Sequence, residues 1–427
     1  MKKSIKKFIS IIAATVAVST LVVGCGGTNS TGGGSKGDVT LTYAIWDKNQ
    51  KPGMEAIAAA FHEKNPNITV NVEVTPWDQY WTKLDAGASS GTLPDVFWMH
   101  SSNFLKYANG DALMDITDKL KNSSDVNLDN FPKDLVDLYI AKGKNYVIPK
   151  DYDTIALWYN KTMFDAKGIP YPDGTWDWNK LLEVAQKLND PANGVYGFLS
   201  SVDTQQNYYD FIYQNGGEVL SADKKKSGYD KPETKEAMQF AVDFSQKYKV
   251  SPTVQQFADT SRDQYFESGK GAMAFFGSWM VSEFKANEYV AKNCDVAILP
   301  FGKKKATMYN GLGNAVSAKT KNPDAAWKFL EFMGTKEANA IQAEKGAAIP
   351  AFKGTEQAWI DNNKQFNVKV YPQMLEYAHI FPNSETRSKW DPLETQIFSK
   401  MWAGEMSVED GCNQMAKEMN DLLATEQ

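Results

Sequence analysis

Ile68-Thr-Val-Asn-Val-Glu-Val74 alternates apolar and polar residues without a break. A period of two puts Ile68, Val70, Val72 and Val74 on one face of a strand and the polar residues on the other. Asn65-Pro66-Asn67 closes the stretch on its N-terminal side as a helix-stopping turn. Upstream of that turn, Met54, Ile57, Ala58 and Phe61 recur at helical spacing. Further upstream, Leu41, Tyr43 and Ile45 alternate with Thr40, Thr42 and Ala44, which predicts a first strand. Downstream, Trp77 to Ser89 reads as a helix with Tyr80, Leu84 and Ala88 on one face. Asp95-Val-Phe-Trp-Met99 then reads as a short apolar strand. Residues 38–150 thus carry the β-α-β-α-β rhythm of an open α/β sheet.

The rhythm restarts at Ile155-Ala-Leu-Trp-Tyr159, a second series of strands and helices. Thr175 is the expected N-cap of a helix running to about Leu188, and residues 232–248 form another amphipathic stretch. Ala272-Met-Ala-Phe-Phe276 and Asp295-Val-Ala-Ile-Leu299 read as buried strands. The last hundred residues are mainly helical, over 322–333, 336–345, 355–364, 391–403 and 407–424. Gly346 suits the position just past the second of these helices. Ser407 with Asp410 resembles a capping box opening the last. No internal repeat of short fixed period is present. Two α/β blocks and a helical C-terminal tail predict two lobes, and a cleft between lobes is the preferred place for a ligand.

The N-terminus has a different character. Lys2, Lys3, Lys6 and Lys7 precede 16 uncharged residues, Phe8 to Val23. As a helix that run would span about 24 Å, short of the ~30 Å hydrocarbon core of a bilayer. The order of basic, apolar and small residues is that of a secretory signal over residues 1–24. Leu21-Val22-Val23-Gly24-Cys25 resembles a lipobox, in which the cysteine is lipidated and the chain is cut before it. A plain signal peptide with an incidental cysteine is the alternative. Residues 26–37 contain no hydrophobic residue and read as a Gly/Ser tether. The expected protein sits on the outer face of a membrane through Cys25 and does not span it. Cys294 and Cys412 are the other cysteines; two separate buried thiols are favoured over one disulfide.

Charge narrows the partners. The 427-residue chain holds 46 basic and 52 acidic residues. Removing residues 1–24 takes four lysines and leaves 42 against 52, a net charge of −10. Such a chain does not hold nucleic acid by bulk charge. Only Arg262 and Arg387 are arginines, so a ligand with several anionic groups lacks its usual bidentate grip. His62, His100 and His379 are few for a metal or acid–base enzyme. The chain lacks Cys-x-x-Cys, Gly-x-Ser-x-Gly, Walker A and complete dinucleotide-loop patterns. Asp47-Lys48-Asn49 begins like a calcium loop but has Pro52 in its glycine position. No catalytic residue, metal or cofactor is expected.

Aromatic residues remain: 12 Trp, 19 Tyr and 22 Phe. Trp327 and Trp359 sit at helical spacing and read as packing. Trp46 follows the first strand, Trp77 the second, and Trp279 the strand 272–276. Strand ends of this kind form the crevice in α/β sheets. An aromatic ring beside carboxylates and amides suits a sugar, whose C–H faces stack on the ring while its hydroxyls take polar partners.

Several stretches in series resemble one family, the carbohydrate-binding extracellular proteins of ABC importers related to maltose-binding protein. They are Trp46-Asp47-Lys48, Ser90-Gly91-Thr-Leu-Pro94-Asp95-Val96, Ile148-Pro149 with Leu157-Trp158-Tyr159-Asn160-Lys161, Thr175-Trp176, Gly271-Ala-Met273 with Gly277-Ser278-Trp279, and Asn322-Pro323-Asp-Ala325-Ala326-Trp327. The resemblance covers about residues 38–425. It implies two α/β lobes closing on a ligand, 38–151 plus 313–362 and 153–309 plus 366–427, with crossovers near 152 and 311. Gly311 and Gly313 would absorb backbone rotation there.

The resemblance also implies a sugar site. Asp47 and Lys48 fall on an acid and a lysine that meet hydroxyls, Trp98 on a cleft tryptophan, Asp153 on a cleft glutamate and Trp279 on a stacking tryptophan. Trp390 falls near another, and Tyr80, Asn310 and Gly311 follow from loop position. With Trp46 and Trp77 they complete the expected set. The family's acid and arginine after Trp98 are here Ser101 and Ser102, which speaks against maltose itself. The implied protein is a monomer that captures an oligosaccharide and passes it to an ABC permease. A secreted glycoside hydrolase and a binder of a peptide or polyol are the rival readings.

Overall fold

The computed structural model describes residues 37–426; the expected signal segment, Cys25 and the tether to Lys36 lie outside them. The strands among the described residues are β1 (Val39–Ile45), β2 (Ile68–Val74), β3 (Val96–Met99), β4 (Ile140–Ala141), β5 (Lys144–Asn145), β6 (Val147–Pro149), β7 (Asp153–Asn160), β8 (Met273–Gly277), β9 (Cys294–Ala297), β10 (Thr307–Asn310), β11 (Gly313–Val316) and β12 (Ala378–Ile380).

The first sheet has the order β2-β1-β3-β11-β6. β1 runs parallel to both neighbours, Tyr43 lying opposite Val72 and Val96. Parallel neighbours need crossovers, supplied by the helices Lys51–Lys64 and Trp77–Ser90. β2 is an edge strand, so Val70, Val72 and Val74 are half-buried while Thr69, Asn71 and Glu73 face outward. β11 enters antiparallel between β3 and β6, with Asn314 opposite Trp98 and Ile148.

The second sheet is built on β7, all of whose eight residues are buried. β8 pairs with it on one side, Leu157 opposite Phe275. β9 and β10 pair on the other side, and β12 joins β10 in parallel. The small hairpin β4–β5 stands apart.

The chain passes between the sheets at residues 150–152 and again at 311–312. The two crossings are tied together. The Lys150 N–H donates to the Leu312 carbonyl, and Asp151 Oδ1 accepts the Leu312 N–H, each at 2.8 Å. A third stretch lies alongside, where the Tyr152 N–H donates to the Ile349 carbonyl at 3.0 Å. The result is the expected two-lobed α/β fold with hinge crossovers. Its helical C-terminal region ends in the helices Arg387–Ala403 and Val408–Leu423.

Four local expectations need correction or completion. The helix expected from Thr175 begins at Trp178, because the Thr175 hydroxyl is engaged by Asp173 at 2.6 Å and Asp177 caps instead, accepting the Lys180 N–H at 2.8 Å. Ser407 caps the last helix, but Asp410 turns its carboxylate to the Ser407 hydroxyl, so the reciprocal half of a capping box does not form. Gly311 and Gly313 do not have left-handed backbone. They are required for close approach: a β-carbon at 311 would lie 2.2 Å from the Asp151 carbonyl oxygen, and one at 313 would lie 2.0 Å from Val147 Cγ1. Cys294 and Cys412 are both free and buried, and burial pushes each thiol up to about 12.

Candidate functional site

A cavity of about 710 Å³ opens between the ends of the two sheets. One wall comes from the first sheet. β1 ends at Ile45 and hands Trp46, Asp47 and Lys48 to the rim, while the turn after β2 delivers Trp77. Trp46 stands at the hub of an aromatic cluster, with Trp77, Tyr80 and Trp98 packed edge-on at 5.0–5.1 Å. Its ring is therefore held on three sides and has little freedom to rotate. Trp77 covers the cluster and is 43 % exposed. Asp47 is fixed in a short turn, accepting the Asn49 N–H at 2.7 Å and the Gln50 side-chain amide at 2.9 Å.

The opposite wall comes from the second sheet. Trp279 lies in a single 3-10 turn directly after β8, and Asp153 opens β7. A wide helical turn, Thr204–Tyr208, contributes Gln205, whose amide donates to the Asp153 carboxylate. Arg262 steadies this turn, reaching Asp203 at 3.0 Å and the Gln206 carbonyl at 3.2 Å. His100 and Phe381 meet at the back of the cavity, ring edge to ring face at 5.9 Å. Burial pushes the His100 imidazole down to about 4, so it is neutral at ordinary pH.

The cavity is acidic. Asp151, Asp203 and Asp391 line it but have cations behind them: Lys150 at 2.6 Å, Arg262 at 3.0 Å and Arg387 respectively. Asp47, Asp153 and Glu283 line it with no ion pair among the described residues, and Lys48 is the one lysine or arginine of the lining. Burial, then Asp151, raises the Asp153 carboxyl well above the carboxylate range. Burial, then Asp263 and Asp47, raises Glu283. A polyanion entering this space would add to an existing repulsion, whereas hydroxyl groups would find acceptors.

The residues singled out from sequence divide into two groups. Trp46, Asp47, Lys48, Trp77, Asp153 and Trp279 come together on the cavity. Trp98, Tyr80, Asn310, Gly311 and Trp390 do not line it, and the reason is burial. Trp98 is fully buried behind Trp46, its indole N–H on the Tyr43 hydroxyl at 2.7 Å. Tyr80 is 1 % exposed and donates to the Trp98 carbonyl at 2.8 Å. Asn310 is spent on Ser101 and His100, each at 3.0 Å. Gly311 packs on the Asp151 backbone. Trp390 is buried under the Arg387 guanidinium at 4.0 Å, its N–H on Ser384. Gln205, His100, Phe381 and Gln50 line the cavity without having been singled out. They lie in irregular segments or at element ends, where no periodicity marks them.

The bacterial extracellular solute-binding protein family model matches residues 47–340. The chain is 25 % identical over 410 residues to the maltodextrin-binding protein MdxE of Bacillus subtilis, covering 94 % of each chain. It is 22 % identical over 408 residues to the maltooligosaccharide ABC transporter solute-binding lipoprotein of Streptococcus pneumoniae, covering 93 % of each. Among solved structures, an ABC substrate-binding protein of Listeria monocytogenes in complex with cycloalternan superposes with a TM-score of 0.84 at 25 % identity, over 91 % of this chain and 99 % of that one. A two-lobed chain with a lined cleft defines a ligand-capturing protein. This one belongs to the bacterial extracellular solute-binding protein family. Among the described residues no helix is long and apolar enough to cross a membrane.

Proposed function

We propose that this chain is the extracellular, lipid-anchored substrate-binding component of an ABC sugar importer. It captures an oligosaccharide in the cleft and delivers it to the membrane permease without making or breaking a bond. The observation that carries this reading is that aromatic and polar side chains line both walls of one cavity. Trp46, Trp77 and Asp47 stand on one wall and Trp279, Asp153 and Gln205 on the other, with Phe381 at the back. Pyranose C–H faces would stack on the rings, and hydroxyls would bond to the Asp47 carboxylate, the Asp153 carboxyl and the Gln205 amide.

The names of the relatives, maltodextrin and maltooligosaccharide binders among them, support the same substrate class. The acidic lining with one free lysine favours a neutral glycan over a phosphorylated or uronic one. In this reading the sugar contacts are made by Trp46, Asp47, Lys48, Trp77, Asp153 and Trp279. Tyr80, Trp98, Asn310, Gly311 and Trp390 support them from behind. One lobe takes 38–151 with 313–362 and the other 153–309 with 366–427, and Cys25 carries the lipid.

A thermal-shift panel of neutral mono- and oligosaccharides, peptides and polyols tests the substrate class, since a ligand that binds only the folded chain raises the melting temperature. Stabilisation by an oligosaccharide that is recovered uncleaved supports a binding protein; cleavage products would make it a hydrolase. Replacement of Cys25 by Ala should move the protein out of the membrane fraction with sugar binding intact. Retention in the membrane would refute the anchor.

A further inference from the structure

Lys150 is 3 % exposed and lies in the first crossover between the sheets, yet its ammonium has three partners. Nζ donates to the Asp151 carboxylate at 2.6 Å and to Gln50 Oε1 at 2.8 Å, and it sits 4.4 Å from the centroid of the Trp98 ring. The Gln50 side chain continues the line, its Nε2 donating to Asp47 Oδ2 at 2.9 Å. Asp151 is itself fastened to the second crossover through the Leu312 N–H. One unbroken series of bonds therefore runs from the paired crossings to a carboxylate on the cavity wall. Lys150 does not line that cavity.

The chemistry of an amide explains what the lysine does. A glutamine side chain can present either its oxygen or its NH2 to a neighbour. With an ammonium donating to Oε1, the NH2 is the end left for Asp47. Without that ammonium the amide is free to turn and bring its oxygen against a carboxylate, which repels it. The same ammonium lies on the face of Trp98, and Trp98 backs Trp46 edge-on at 5.0 Å. The lysine neutralises Asp151, which would be left buried without a cation in its absence. Beyond that pairing, the ammonium also donates to the Gln50 amide, and that bond is the one that leads to the cavity.

We propose that Lys150 is a positioning residue for ligand capture: acting through the Gln50 amide it aims the Asp47 carboxylate into the cavity. The proposal rests on the reading of the cavity as an oligosaccharide site. A double-mutant cycle tests it, with maltotriose, maltotetraose and cycloalternan titrated calorimetrically and the tightest binder carried through the series. Lys150→Met should weaken binding about tenfold in the otherwise native protein and less than twofold in the Asp47→Ala background. Equal losses in both backgrounds would overturn the proposal. Where Lys150→Met fails to fold, because Asp151 is left buried without its cation, Gln50→Leu severs the same link without stranding a charge and repeats the cycle. The ligand-free crystal structure of Gln50→Leu judges the relay separately. Asp47 should leave its present position or occupy two conformers, and an unmoved single conformer would contradict the relay. Should none of the saccharides bind the unaltered protein, the oligosaccharide reading fails while that structure still decides the relay.

Discussion

The indole of Trp279 folds back over the α-carbon of Gly277, so closely that a β-carbon at 277 would lie 1.9 Å from Trp279 Cζ3. The glycine is what lets the ring pack this closely on its own strand end while Trp279 lines the cavity. The Gly277 N–H donates to Gln206 Oε1 at 3.0 Å, joining the wide turn 204–208 to the same spot.

Gly277→Ala should therefore displace the Trp279 ring. Overpacking of this kind costs about 1–3 kcal/mol in stability, and sugar affinity should fall roughly tenfold as the stacking face is lost. In a Trp279→Ala background the same glycine replacement should change affinity little, because there is no ring left to move. Calorimetric titration of the two single variants and the double variant, with melting curves beside them, checks this. Additive losses would separate Gly277 from Trp279.

Trp98 and Trp390 should behave as core residues. Both are fully buried with their indole N–H groups bonded, so either Trp→Ala change should cost about 3–5 kcal/mol of stability. Trp77→Ala, at a ring 43 % exposed, should leave the melting temperature nearly unchanged and lower affinity instead. Denaturant unfolding of the three variants distinguishes the two behaviours.

This division shows where sequence is informative. The alternation Ile68 to Val74 and the apolar run Val96–Met99 located their strands because each follows one periodicity set by one face or two faces of a sheet. Trp46, Trp77 and Trp279 were legible for the same reason: a strand end is a defined place, and an α/β crevice lies there. Trp98 and Trp390 lie behind the cavity and not on it, and sequence did not show this because likeness to a family marks a position along the chain. It does not fix which way a side chain turns, and Tyr43 and Ser384 turn these two inward. Gln205 and Lys150 gave no signal. One sits in an irregular turn, and the other is a lysine whose burial depends on Asp151 and Gln50, the latter 100 residues away in the chain.

Stability should depend on pH through Glu394. It is fully buried beneath Arg387, with the hydroxyls of Tyr209 and Tyr229 donating to it. Burial, opposed in part by Arg387, pushes its carboxyl from the ordinary 4.5 up to about 7. Between those two values the folded chain holds more protons than the unfolded one. The contribution of Glu394 to stability therefore falls as pH rises through that window and is constant above it. Melting temperatures at pH 5 and pH 8 should differ less in Glu394→Gln than in the unaltered protein. Parallel pH profiles would show that Glu394 does not titrate in this range.

The central claim is that an oligosaccharide binds in the cleft against Trp279. Calorimetric titration of a neutral oligosaccharide into the unaltered protein and into Trp279→Ala tests it most directly. Micromolar binding, about −8 kcal/mol, is expected for the former. A loss of at least ~2 kcal/mol, roughly 30-fold, is expected for the latter, as for a buried tryptophan anchor cut to alanine. A folded Trp279→Ala protein that binds the sugar as tightly as the unaltered one, or an unaltered protein that binds no neutral oligosaccharide, would contradict it.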